Sequence, residues 1–210
     1  MGIVTRPWAL TAIAALLLAG CSQSTPPSDS DASAAPKPAA PTGPVAAKTA
    51  FYPMYTAAHT WAPDVMILRV AAKDVPGFTN GAGKAAMWEA TFGSPSQAKY
   101  RVDQYAIATV LPDIHKGATA GLKLPWGGLP RDAAPIDLAT FNVDSDAAYN
   151  AAAADAADWL KKNPDKKLSS IELDYVPKLH ATAWFVMWGD QKSGYATYVD
   201  DNTGQVIKKK

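Results

Sequence analysis

After Cys21 the 210-residue chain contains no cysteine, so whatever follows that position folds without disulfides and without thiolate-bound metal. An excess of one charge is missing as well. There are 20 Lys and Arg against 19 Asp and Glu, and Arg6 is the one charged residue among the first twenty. The remainder is therefore formally neutral. Its sole basic run is Lys208, Lys209 and Lys210, which we read as a solvated end. Sequence-independent attraction to phosphates needs clustered Lys and Arg, so a nucleic-acid partner is not expected. Long hydrophobic runs are scarce too. The most apolar stretch, Trp8 to Leu18, falls short of the roughly 20 residues that span a bilayer.

Catalytic patterns are absent in the same way. The histidines are His59, His115 and His180, none of them in a His-x-x-x-His or His-Glu pairing, whereas a zinc site needs three or four converging ligands. No Gly-x-Ser-x-Gly elbow occurs, and the glycines from Gly77 to Gly83 are not followed by Gly-Lys-Ser/Thr. We expect no cofactor, no metal and no catalysis. A cell-wall or other hydrolase, with carboxylates and His115 or His180 lying between two units, is the alternative. A structural spacer is a third reading.

What the chain does have begins at its start. Residues 1–20 follow the grammar of a secretory signal, with Arg6, an apolar run and then small residues. They end in Leu18-Ala19-Gly20-Cys21, which resembles the lipobox of bacterial lipoproteins. The resemblance implies cleavage before Cys21, a lipid on its sulfur, and membrane attachment in the cell envelope. Ser22 in the next position implies transport to the outer membrane where the cell has one. Residues 21–48 are rich in Ser, Pro, Ala, Asp and Thr and read as a tether, since they can bury too little apolar surface to offset their ordering entropy.

An internal similarity organises the rest. Pro63-Asp64, Ile67, Val70, Ala72 and Val75-Pro76 recur as Pro164-Asp165, Leu168, Ile171, Leu173 and Val176-Pro177, all displaced by the same spacing. Trp61 aligns with Trp159, Trp88 with Trp184, and Val102-Asp103 with Val199-Asp200. We therefore expect an α+β protein of two tandem units, residues 49–112 and 143–210, joined by a connector over 113–142. Each unit would be one helix packed on a small antiparallel sheet. Pro53 can open the first helix, and Asp144, Ser145 and Asp146 offer capping oxygens to the second. Strands are expected over 65–71, 85–92 and 98–110, then at Ile171 to Tyr175, 182–188, 195–200 and 205–207.

The second unit closes on Tyr198-Val199-Asp200-Asp201-Asn202-Thr203-Gly204-Gln205-Val206, and here it is similar to the PepSY and PepSY-like domains of bacterial envelope proteins. That resemblance implies a non-catalytic binding or regulatory module with a protein or peptide partner. Strand alternation points to where such a partner would sit. Trp88, Ala90 and Phe92 should face the first helix with Tyr100 and Val102 beside them. Trp184, Val186 and Trp188 should face the second, beside Thr197 and Val199. The outer face would then carry Glu89, Thr91, Lys99 and Arg101 in the first unit, but Phe185, Met187, Ala196 and Tyr198 in the second. Phe185, Met187 and Tyr198 are candidate contact residues. Their expected cover is the first unit, or the connector residues Ile136, Leu138 and Phe141. Trp126, beside Gly127-Gly128, is a further candidate, as a buried anchor or a contact.

Overall fold

The computed structural model describes residues 41–207; the signal, Cys21, Ser22 and most of the tether lie outside the described residues. The fold begins inside the stretch read as a tether, because Val45 is buried and pairs with Ala85. Helix α1 spans Ala47–Trp61. Its buried residues Ala47, Ala50, Phe51, Met54 and Ala58 follow the three-and-four spacing of a single helix face. Pro53 lies within this helix and does not open it. Its missing N–H would have bonded the carbonyl of Thr49, which lies on the exposed side.

Strands β1 Met66–Lys73, β2 Met87–Ser94 and β3 Lys99–Ala106 follow, then the short β4 Gly117–Thr119 and β5 Leu124–Pro125. Helix α2 Ser145–Asp155 is interrupted at Ala156 and continues as α3 Ala157–Lys162. The chain then enters β6 Leu168–Val176, β7 Ala181–Trp188, β8 Tyr195–Asp200 and β9 Val206–Ile207.

The two tandem units expected from the internal similarity are not what forms. All nine strands belong to one antiparallel sheet in the order β4-β3-β2-β1-β6-β7-β8-β9, with β5 also on β3. The join is β1 against β6, where Arg69, Val70 and Ala71 face Asp174, Leu173 and Glu172. The physical reason is edge satisfaction. Each half alone would leave β1 or β6 as an edge strand with a row of unpaired backbone groups, and pairing the two removes both edges.

The cores merge along with the sheet. Residues from both halves form one buried cluster that runs from Phe51 and Phe92 to Trp184 and Val199. At its centre the Trp88 and Trp184 rings meet edge to face, 6.3 Å between centroids. Their indole N–H groups donate to the carbonyls of Val45 and Val143 at 2.9 and 3.0 Å, so neither buried donor is left unpaired. The connector joins the same core. Ile136 donates its N–H to the Ile67 carbonyl, and the Phe141 ring packs between Phe51 and Trp184.

The helix N-termini are also tied together. Residue Ala46, which caps α1, has no side chain able to accept from the first turn. Ser145 and Asp144 do this from the start of α2: Ala47 N–H donates to Ser145 Oγ at 2.8 Å, and Lys48 N–H to Asp144 Oδ1 at 3.0 Å. The Ser145 hydroxyl in turn donates to the Gly83 carbonyl at 2.6 Å. Gly83 sits at φ +75°, and a Cβ there would lie 2.3 Å from the Ser145 carbonyl oxygen, so the approach requires glycine. Ser145→Ala should therefore leave one donor and one acceptor buried without partners. At about 1–3 kcal/mol for each orphaned group, thermal melting is expected to show a loss of roughly 2–6 kcal/mol.

Candidate functional site

The helices cover one face of the sheet and leave the other open. Cross-strand register sets what the open face carries, because directly opposed residues point to the same side. One row reads Gln104, Glu89, Ala71, Glu172, Phe185, Tyr198 and Ile207 from β3 to β9. A second places Lys73 beside Met87, and Met187 between Ser170 and Ala196. A third holds Val102, Thr91, Arg69, Asp174, Ala183 and Asp200.

Charge gathers on the central strands. Arg69 pairs with Glu172, Lys73 with Glu89 at 3.1 Å, and Gln104 donates to Glu89 at 3.3 Å. Burial pushes the Asp174 carboxyl above the usual carboxylate range, offset in part by the Tyr175 N–H and the charge of Arg69.

Beyond β6 the face turns apolar. Phe185 and Tyr198 are neighbours at 5.3 Å between ring centroids, Ile207 stands opposite Tyr198, and all of these, with Met187, are half-buried. The cover expected from the connector is not there: Ile136 and Phe141 are buried among the helix-side residues. Phe185, Met187 and Tyr198 are thus brought together as a patch.

One expectation for this face is reversed. Arg101 and Asp103 are opposite Phe92 and Ala90, so they point toward α1 while Tyr100 and Val102 point outward. Arg101 is buried, with its guanidinium 2.8 Å from Asp103 and 5.0 Å from the centre of the Trp61 ring. Burial raises the Asp103 carboxyl above its ordinary pKa, while the Gly121 N–H and Arg101 oppose the rise. Alternation alone places such charges in solvent, whereas here the two neutralise each other inside.

Trp126 lies elsewhere on the open face. Its backbone N–H donates to the Ala98 carbonyl at 2.9 Å, and its six-membered ring covers Gly93, where a Cβ would come within 2.8 Å of ring carbons. It is half-buried, with its ring packed on Gly93. It also lines a shallow groove of about 470 Å³ with Met66, Pro95 and Leu129. Gly93 is four residues along β2 from the row of Phe185 and three strands away from it. At about 3.4 Å per residue and 4.8 Å per strand, the two sites are roughly 20 Å apart. They are separate surfaces.

The residues named for a hydrolase are not assembled. His59 rests against Tyr55 at 4.5 Å, and His115 and His180 are exposed in different loops. Where β1 and β6 diverge there is a cleft of about 260 Å³ whose lining includes Arg69, Lys73, Asp74, Asn80 and Glu172, without a histidine. Its Glu172 is held by Arg69, and Asp74 accepts from Asn80 at 2.9 Å. Among the described residues no group of three or more His, Cys, Asp or Glu is placed to hold a metal ion.

No family model matches the chain, and neither does any curated protein. The PepSY-like resemblance of residues 144–207 is not shown by these comparisons. Among solved structures, the chain is similar to that of a "putative lipoprotein (CD1622)" from Clostridium difficile 630, with 17% identity and a TM-score of 0.47 over 73% of this chain and 87% of that one.

Proposed function

We propose that this chain is a lipid-anchored protein of the cell envelope that acts by binding another protein or peptide rather than by catalysis. The lipid is on Cys21, and Ser22 directs the protein to the outer membrane in cells that have one. The contact surface is the apolar part of the open sheet face: Phe185, Met187, Tyr198 and, added by the register of β9, Ile207. The supporting observation is that these side chains form a patch with no connector over it, on a face whose central strands carry the ion pairs Arg69–Glu172 and Lys73–Glu89. Contiguous apolar patches on a soluble surface usually mark a contact.

Two substitutions separate the anchor from the surface. Cys21→Ala should stop incorporation of labelled fatty acid and release the protein from membranes; retention of label would contradict the lipoprotein reading. Phe185→Asp combined with Tyr198→Asp should abolish capture of the partner by crosslinking in intact envelopes. Because both residues are half-buried on an outer face, the melting temperature should stay within a few degrees. A large fall in melting temperature would instead assign the patch to the core.

A further inference from the structure

Large exposed apolar side chains are few among the described residues, and most of them are gathered on one strip. Leu111 is 77% exposed, Leu122 82% and Leu124 43%; the fourth, Tyr52, is on α1. The strip is the excursion that follows β3. Val110 pairs with Ile114 to close a tip that carries Leu111, Lys116 bridges back to Ala106, β4 pairs with Gln104 and Tyr105, and Leu124 comes opposite Tyr100. Residues 111–125 therefore follow the outer edge of β3 from end to end, roughly 20 Å at 3.4 Å per residue. Lysines are interleaved with the leucines. Lys116 and Lys123 belong to the strip, Lys99 stands beside Pro125, and all three are exposed. Asp113 is the one carboxylate between 111 and 125.

The incoming chain reaches the fold at one end of this strip. Val45 pairs with Ala85, and the next carbonyl, that of Ala86, accepts the Ile107 N–H at the base of the Leu111 loop. A segment tethered at Cys21 thus joins the domain next to the loop that carries Leu111.

We propose that this edge docks on the bilayer, with Leu111, Leu122 and Leu124 entering the interfacial region and Lys99, Lys116 and Lys123 meeting anionic phospholipid headgroups. The inference rests on the lipid-anchor reading of Cys21. Exposed leucines interleaved with basic residues match the chemistry of an anionic interface, where apolar insertion and electrostatic attraction act together. The anchor also keeps the edge at a high effective concentration at the membrane, so a weak intrinsic affinity is enough to populate the docked state. Docking would turn the opposite end of the sheet, β7 to β9, away from the lipid. From β3 to β9 is six strand spacings, about 29 Å at 4.8 Å each, so the Phe185 patch would be held out toward a partner.

The test uses the full chain as purified from membranes and placed in phosphatidylethanolamine vesicles with or without phosphatidylglycerol. A fluorophore is attached to Leu111→Cys or Leu122→Cys, or to Lys192→Cys in the β7–β8 turn as a control. Quenching by doxyl-labelled lipid reports depth, and the mass of the N-terminal peptide reports the anchor. The expected result is a diacylglyceryl mass on Cys21, with quenching at 111 and 122 at least threefold that at 192 and weaker once phosphatidylglycerol is omitted. An intact anchor with equal quenching at all three positions overturns the docking surface and leaves the anchored reading standing. Absence of the lipid mass overturns the anchored reading and the docking inference with it.

Discussion

Replacing Trp88 by alanine is expected to remove about 3–5 kcal/mol of stability and to destabilise both halves of the molecule in one transition. The magnitude follows from what the indole does. It is fully buried, its N–H is bonded to Val45, and its ring packs against Trp184. The breadth follows from the core. Trp88 lies on β2 and Trp184 on β7, yet both belong to a single apolar cluster beneath a single sheet. Hydrogen exchange on Trp88→Ala should therefore show protection falling together in β2, β3, β7 and β8. Protection retained in β6 to β8 while β1 to β3 exchange freely would mean that the halves are energetically separate.

Asp201→Asn is expected to act in the opposite direction and to depend on pH. Asp201 lies in the turn between β8 and β9, 3% exposed, and its Oδ2 has no hydrogen-bond partner. Its carbonyl accepts the N–H groups of Asn142 and Val143, which pins the turn to the residues entering α2. Burial raises its carboxyl from 3.8 to about 7, with the negative charges of Asp200 and Asp137 contributing. In the unfolded chain this group ionises near 3.8, whereas in the fold it keeps its proton to about 7. Between those limits the folded state binds more protons than the unfolded one, so this group's contribution to stability declines as pH rises and levels off above 7. One pKa unit corresponds to about 1.4 kcal/mol, so the loss approaches roughly 4 kcal/mol at most. The amide introduced by the substitution carries no charge at any pH. Thermal melts should show the variant close to the parent at pH 4 and more stable by several degrees at pH 8; equal stability at both would mean that Asp201 ionises freely in the fold.

How far the sequence discloses this structure depends on the range of the interaction. Strand alternation within β7 and β8 is local, so Trp184, Val186, Trp188, Thr197 and Val199 are placed on the helix side and Phe185 and Tyr198 on the open side, as the pattern implies. The junction of β1 with β6 is a different matter. It needs only three facing positions more than a hundred residues apart, and nothing in Arg69-Val70-Ala71 marks an edge seeking a partner. A repeated pattern reads equally well as two units or as two halves of one sheet.

The reversal in β3 has a different cause. An alternation of Tyr100 and Val102 with Arg101 and Asp103 reads as apolar inside and charged outside, and only the tertiary pairing of Arg101 with Asp103 beneath Trp61 reverses it. For Trp126 the local signal is incomplete. An aromatic residue beside two glycines announces a tight path, whereas its docking site, Gly93, is visible only once β2 is in place.

The contact surface on β7 to β9 is tested most directly by photocrosslinking in intact cells. A photoreactive side chain is introduced at Phe185 or at Gln104, which occupies the same cross-strand row in the other half of the sheet. We expect a discrete adduct from position 185 that disappears when Tyr198→Asp is added, and none from position 104. No adduct from 185, or equal adducts from both positions, would contradict the assignment of this face as the binding surface.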